Sequence, residues 1–294
     1  EEERAVESAL GVNVPTREEM TEIEPSSRLY EEDGALLMTA TVICNAASER
    51  PESTAVSFLL SGHRLVTVRY ADPQPFRLFA LQAERHPSLC PTGEATFAAL
   101  MDTIVDRLAD ILEMVVADVD ALSIEIFAAS RAGGTAGQRQ TQRRDLQAVL
   151  ARVGRNGDLT SKARESLASI GRLVAFSRRA IRPEHSPADV PARLETVAQD
   201  IASLSDYASF LANKITFLLD ATLGMINIEQ NATIKIFSVV AVVFLPPTLI
   251  ASIYGMNFAF MPELEWRFGY PFALGLMIAS AILPYLFFKR RGWL

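Results

Sequence analysis

The residues best suited to chemistry lie on one line near the C-terminus. A stride of ~3.6 residues, one helical turn, leads from Asp220 through Gly224, Asn227, Asn231, Ile234/Lys235, Ser238, Ala241/Val242, Leu245 and Thr248/Leu249 to Ser252. Just beyond it stand Gly255, Met256 and Asn257. Amide and hydroxyl oxygens accept hydrogen bonds without carrying charge. They can hold the water shell of a small divalent cation but cannot strip it, because such ions dehydrate reluctantly. The line therefore suits passage of a hydrated ion, with Ile234, Phe237 or Leu245 as an apolar constriction able to close the path. A blander reading stays open for Ser238 and Thr248, whose hydroxyls also serve to join helices or to bond back to their own backbone.

Catalysis has less to stand on. His63, His86 and His185 are scattered, and no nucleophile has a base at a useful spacing. No Gly-rich loop cradles phosphate, so neither an enzyme nor ATP-driven transport is expected. Cys44 and Cys90 lack metal-ligand spacing and read as reduced core residues. The chain carries −7 in all, and its seven charged residues from position 231 onward sum to +3, leaving −10 for residues 1–230. An acidic body argues against nucleic acid and suits cations. The chain opens "EEERAVESAL" without Met, so a longer N-terminus is expected.

The line needs a membrane to make sense. "IFSVVAVVFLPPTLIASIY" (236–254) gives 19 uncharged residues, and "YPFALGLMIASAILPYLFF" (270–288) another 19. Each is long enough to cross ~30 Å of hydrocarbon as a helix. Lys235 precedes the first span, while Lys289, Arg290 and Arg291 follow the second. Positive charge stays inside, so both termini are expected in the cytoplasm and the 255–269 loop outside. Pro246-Pro247 removes two backbone donors and is expected to bend the first span.

Upstream, "ALLMTATVIC" (35–44), "TAVSFLLSG" (54–62) and "HRLVTVRYA" (63–71) read as strands of a mixed or antiparallel sheet, the last two joined as a hairpin. "PTREEMTEIE" (15–24) and "QPFRLFALQAER" (74–85) read as helices. After Thr92 the strand signal ends. A long helix runs to a flexible tip at "RAGGTAG" (131–137), a second follows to a break at Asn156-Gly157, and a third spans 161–181.

The last helix shows a 3-4-3-4 apolar stripe at Leu194, Val197, Ile201, Leu204, Ala208, Leu211, Ile215, Leu218, Thr222 and Met225. Such a stripe packs along a partner helix. With no breaker before Pro246, it should enter the first span directly as a rod of about 95 Å, which calls for oligomerisation. The expected organisation is 1–91 α/β domain, 92–190 long helices, 191–235 stalk, 236–254 first span, 255–269 loop, 270–288 second span and 289–294 basic tail.

"YGMN" (254–257), "MPEL" (261–264), Trp266, "GYPF" (269–272) and "FFKRRGWL" (287–294) together resemble the CorA family of magnesium/cobalt transporters. The resemblance extends to "VSFLLSGHRLVTVRYADPQPF" (56–76) and the stalk, and is weakest near 125–165. It implies a funnel-shaped homopentamer with an α/β cytoplasmic domain, a long-helix stalk and two transmembrane helices per subunit, in a bacterial inner membrane. The first helix would line the pore at Asn231, Ile234, Phe237, Ser238, Ala241, Leu245, Thr248 and Ser252. Asn257 would form a ring of amides at the outer mouth, Gly255 would add backbone oxygen and let the chain leave the helix, and Met256 would shape the turn. Glu263 and Glu265 would gather cations outside.

Magnesium, with cobalt and possibly nickel, would be the cargo, drawn in by the membrane potential, with no enzymatic cofactor. Intracellular magnesium would regulate the channel. Asp220 matches a vestibule position, and Asp206, Asp200, Asp102 and Asp106 are candidates for the regulatory sites, as are Asp118 and Asp120. Thr196 stands where a carboxylate is expected. The rival within transport is the related zinc branch, ZntB, which shares GMN but typically lacks "MPEL". A membrane-anchored metal sensor is the rival outside it.

Overall fold

Ten consecutive buried residues form the second strand of a sheet, β2 (Ala35–Cys44). It lies in an antiparallel meander between β1 (Leu29–Glu32) and β3 (Glu52–Ser61), with β4 (Arg64–Arg69) beside β3. The turns are written into the sequence. Asp33 and Gly34 both take positive φ, 50° and 78°, as a two-residue type I′ hairpin requires. Gly62 (φ 54°) and His63 make the β3–β4 turn, so the expected hairpin is present. One face of the sheet packs Ala35, Leu37 and Leu59 under Val12 and Val14. On the other, Phe58 meets Phe97 edge-on at 6.0 Å and stacks on Phe76 at 6.2 Å.

This is a computed structural model that describes residues 6–8, 11–22, 24–48, 50–129, 136–181, 186–257, 261–262 and 266–291. It divides into two compact units, residues 1–222 and 223–294. Around the sheet in the first unit lie α1 (Arg17–Thr21), α2 (Pro25–Arg28), α3 (Gln74–Arg85) and a 3-10 turn (Pro87–Leu89). Two long helices follow, α4 (Gly93–Ala129) and α5 (Ala136–Ala180). Thr16 and Glu19 close a capping box at α1. That explains why the helix expected over 15–24 is only five residues long, since Pro25 begins a new element. The sheet and both long helices share one unit, so the change of pattern at Thr92 is a change of element.

Strand β1 was not expected, because "LYEE" offers no alternation. It covers β2 only over Ala35–Met38. Beyond it two serines of α5 take over the exposed edge. Ser166 Oγ donates to the Thr41 carbonyl (2.7 Å), and the Thr41 amide donates to Ser169 Oγ (3.0 Å). All three residues are buried. Ser166→Ala and Ser169→Ala should each destabilise the chain by about 1–3 kcal/mol, the cost of one orphaned buried backbone group. Chemical denaturation is the measurement, and no loss in either variant would show that water replaces the hydroxyl.

Helix α5 corrects the sequence reading, because the expected break at Asn156-Gly157 is absent and the helix runs on from 136 to 180. Asn156 is buried and donates from Nδ2 to Asp118 Oδ2 at 2.6 Å. A Cβ on Gly157 would lie 3.6 Å from Ile215 Cγ2, and one on Gly171 3.3 Å from Ile201 Cγ2. The dipeptide that looks like a turn signal is thus a polar link plus a contact site for the next helix, and tertiary packing overrides propensity.

That next helix, α6 (Val190–Tyr254), is 65 residues long and passes Pro246-Pro247 unbroken. Its first part buries Leu194, Val197, Ile201, Ala208, Leu211, Ile215, Leu218 and Thr222, the predicted stripe with Leu204 and Met225 half-buried. It runs antiparallel to α5 through Ile201–Gly171 and an Arg178–Glu195 ion pair. It runs parallel to α4 through a Lys214–Asp120 pair and stacked Phe127 and Phe217 (6.3 Å). Helix α7 (Gly269–Arg290) carries the second apolar run.

Candidate functional site

Two helices, α6 and α7, are long and apolar enough to cross a membrane. Within the second unit, α6 has two distinct faces. Val239 is only 4% exposed, and Val243, Pro246, Pro247, Ile250 and Tyr254 are half-buried. At ~100° per residue this shielded face is centred about 150° from the polar line. Asn227, Asn231, Ser238, Ala241, Thr248 and Ser252 on that line are all exposed. So are the three candidate constriction residues, Ile234 (62%), Phe237 (71%) and Leu245 (66%). Asp220, in the first unit, is exposed as well.

The hydroxyl of Thr248 donates to the Phe244 carbonyl at 2.7 Å. Its proton is held by its own helix and its lone pairs face outward, so the blander reading holds for the donor. Pro246 and Pro247 have no N–H, which leaves the carbonyls of Val242 and Val243 without their helical partners. A double proline in an unbroken helix thus adds backbone oxygen one turn below Thr248.

At the end of α6, Gly255 N–H donates to the Ala251 carbonyl at 2.9 Å and Met256 N–H to Ile253 at 3.3 Å. Asn257 is exposed immediately beyond. Gly255 is the first residue past α6, and among the described residues the positive-φ glycines are Gly11, Gly34 and Gly62. A Cβ on Gly255 would lie 3.1 Å from the Ala251 carbonyl oxygen. Beside this turn a cleft of about 410 Å³ is lined by Tyr254, Gly255, Trp266, Tyr270 and Met277. Trp266 also packs on Phe272 at 5.8 Å. Such a cluster suits the aromatic belt of a membrane boundary. Glu263 and Glu265 lie outside the described residues.

Of the carboxylates proposed for regulation, three fall within one another's field. Burial, then the charges of Asp102, Asp110 and Asp200, push the Asp106 carboxyl above the usual range. Asp110 belongs to this group and had not been singled out; its i+4 spacing from Asp106 is the signal. Asp206 is exposed and apart from that field. Among the described residues no three His, Cys, Asp or Glu side chains converge on a single point, so mutual repulsion is present without a ready-made cage.

Asp118 and Asp120 are committed elsewhere. Burial alone would raise the Asp118 carboxyl, but hydrogen bonds from Arg152 and Asn156 and the charge of Arg152 outweigh it and hold the carboxyl low. Asp120 pairs with Lys214. Thr196, at the position where a carboxylate was expected, donates back to the Ala192 carbonyl at 3.2 Å.

A small α/β body, long helices and two apolar spans define a two-span helical membrane protein with a substantial domain outside the bilayer. Residues 1–290 match the model of the CorA-like Mg2+ transporter proteins, and the chain belongs to that family. It is 37% identical over 293 residues to a magnesium transport protein CorA of Yersinia pseudotuberculosis serotype I (strain IP32953), covering 100% of this chain and 88% of the relative. The corresponding protein of Escherichia coli (strain K12) is 36% identical over 294 residues, at 100% and 89% coverage.

Among solved structures, the complete CorA magnesium transporter from Methanocaldococcus jannaschii superposes with a TM-score of 0.74 at 19% identity, covering 99% of this chain and 87% of that one. Full-length CmaX gives 0.62 at 17%, covering 91% and 78%. These two show the fold.

Proposed function

We propose that this chain conducts magnesium, together with cobalt and nickel, into the cytoplasm through a pore lined by α6. The observation that carries the reading is the two-faced span. The shielded face of α6 is occupied within its own unit, while the polar-line residues from Asn227 to Ser252 opposite it are exposed. A polar group facing lipid is costly, so a line of them calls for water or for other copies of the helix.

Five copies around a common axis, with α6 innermost, satisfy that demand. Exposed apolar residues on the long helices of the first unit support self-association, notably Ile124 (73%), Phe210 (60%) and Phe217 (58%). Large apolar side chains left exposed in this way suit an interface. In this arrangement Asn257 rings the outer mouth and Gly255 adds backbone oxygen. Ile234, Phe237 and Leu245 form the closure, and Asp220 faces the vestibule below it. Lys235 and the Lys289–Arg291 run put both termini in the cytoplasm of a bacterial inner membrane. The membrane potential supplies ~2.3 kcal/mol per charge per 100 mV, twice that for a divalent ion.

The test is flux of magnesium, cobalt, nickel and zinc side by side into liposomes holding the full chain under an imposed potential. Magnesium entry is expected. Zinc entry without magnesium would favour the zinc branch, and no divalent flux at all would sink the transport reading in favour of a sensor.

Regulation is placed at Asp102 and Asp106 on α4 with Asp200 and Asp206 on α6, completed by a neighbouring copy. Asp106 binds protons more tightly in the folded state, so the protein loses stability as pH rises through the folded pKa. In magnesium-free buffer, Asp106→Asn should therefore raise the melting temperature near neutral pH and change little below ~3.9, where the unfolded carboxyl is also protonated. Magnesium should then stabilise the wild type more than the variant, because the ion relieves repulsion only where it exists. An equal magnesium shift in both proteins would remove Asp106 from the site.

A further inference from the structure

A second cleft, of about 420 Å³, lies in the first unit and is lined by Glu31, Leu36, Leu60, Gly62, His63 and Glu94, among others. Glu31, Leu36 and Leu60 are register neighbours across β1, β2 and β3, and form its floor. His63 comes from the β3–β4 turn and Glu94 from the first turn of α4. Gly93 N–H donates to the His63 carbonyl at 2.8 Å, which ties the helix start to that turn.

Glu94 is 8% exposed as a residue, and its Oε2 is buried with no hydrogen-bond partner among the described residues. Buried carboxylate oxygens are ordinarily satisfied. The first turn of a helix suits a negative charge but does not satisfy this oxygen. The group facing it is the imidazole of His63, with Nδ1 3.9 Å from Oε2 on a side chain that is 74% exposed.

We propose that His63 and Glu94 bind a divalent transition-metal ion of the zinc, cobalt and nickel type, held by His63 Nδ1 and Glu94 Oε2. Metal–ligand bonds of ~2.1 Å put two ligands of one tetrahedral ion about 3.4 Å apart. The exposed His63 side chain has to close by only about 0.5 Å to reach that spacing. An imidazole nitrogen suits these ions, whereas magnesium favours oxygen donors and keeps its waters. The site is therefore selective against magnesium, though not against the cobalt and nickel that the chain is also proposed to carry. Two protein donors leave the other positions to water, with Glu31 lining the same cleft as an outer partner. Binding is modest in strength and separate from the α6 line.

The test uses the full chain in detergent with magnesium in saturating excess, so that hard-oxygen sites are filled. Equilibrium dialysis against nickel should give one more bound ion per chain for the wild type than for His63→Ala or Glu94→Gln, with at least a tenfold weaker affinity in each variant. Peptide mapping after diethyl pyrocarbonate treatment reads the wild type directly. Nickel should protect His63 from modification and magnesium should not. Equal nickel binding by all three proteins, or His63 modified at the same rate with and without nickel, would leave only a pH-dependent ion pair and overturn the proposal.

Discussion

Asn257→Ala is expected to lower magnesium flux into liposomes by more than tenfold while leaving the assembly intact by size-exclusion chromatography. Asn257 is exposed just past the last turn of α6, so its truncation removes no packing. What is lost is a neutral oxygen for the ion's water shell. Hydrogen bonds to such charged partners are worth about 1.5–3 kcal/mol each, and in a ring the loss is repeated in every copy. Since ~1.4 kcal/mol is a tenfold change, even one unreplaced bond reaches the expected effect. Flux within twofold of wild type would show that the mouth selects by some other group, with the backbone oxygens near Gly255 next in line.

Gly93→Ala should have the largest effect on stability. A Cβ there would lie 2.8 Å from the carbonyl carbon of Arg64, 2.9 Å from its amide nitrogen and 2.9 Å from the carbonyl carbon of His63. All three are backbone atoms, so no rotamer change relieves the clash. The start of α4 has to move off the β3–β4 turn. That breaks the Gly93–His63 hydrogen bond and disturbs Phe97, which packs on Phe58 one turn later. Overpacking of this severity costs about 3 kcal/mol, or about 6–12 °C in melting temperature for a unit of this size. Gly154→Ala is the matched control. Nothing lies within 4 Å of its Cβ position in the middle of α5, and Ala gains up to ~1 kcal/mol in helix propensity. Equal melting temperatures for both variants would refute the steric account.

The contrast between these two glycines shows what the sequence could and could not tell. Local patterns were readable where the cause is local. The Gly62-His63 turn, helix α3, the apolar stripe of α6 and both spans follow from turn chemistry, periodicity and length. Features set by a distant partner were not readable. Gly93, Gly154 and Gly157 look alike in sequence, and only the third dimension separates a tight junction, an open surface and a contact for Ile215. Strand β1 exists because β2 offers it an edge, and the serines that continue that edge come from more than 120 residues away.

The candidate site divides the same way. The polar line could be drawn from helical spacing, but the shielded face opposite it needed the second span in place. Among the acidic residues, sequence gave the candidates. The structure separates Asp118 and Asp120, which are neutralised within the chain, from Asp106, which feels the charges of Asp102, Asp200 and Asp110, the last itself paired with Arg107.

The treatment of the sheet edges carries a consequence for how this chain finds its own kind. An open strand edge recruits any extended segment, and during synthesis a chain with two long apolar spans is especially exposed to such errors. Here one edge strand is only four residues long and ends in Glu31-Glu32, the serines of α5 continue its line, and the other edge strand begins and ends with arginine. Strand addition is therefore a poor route to association, and helix faces are left as the productive one. Blunted edges of this kind disfavour open-ended aggregation through strands before any assembly has formed.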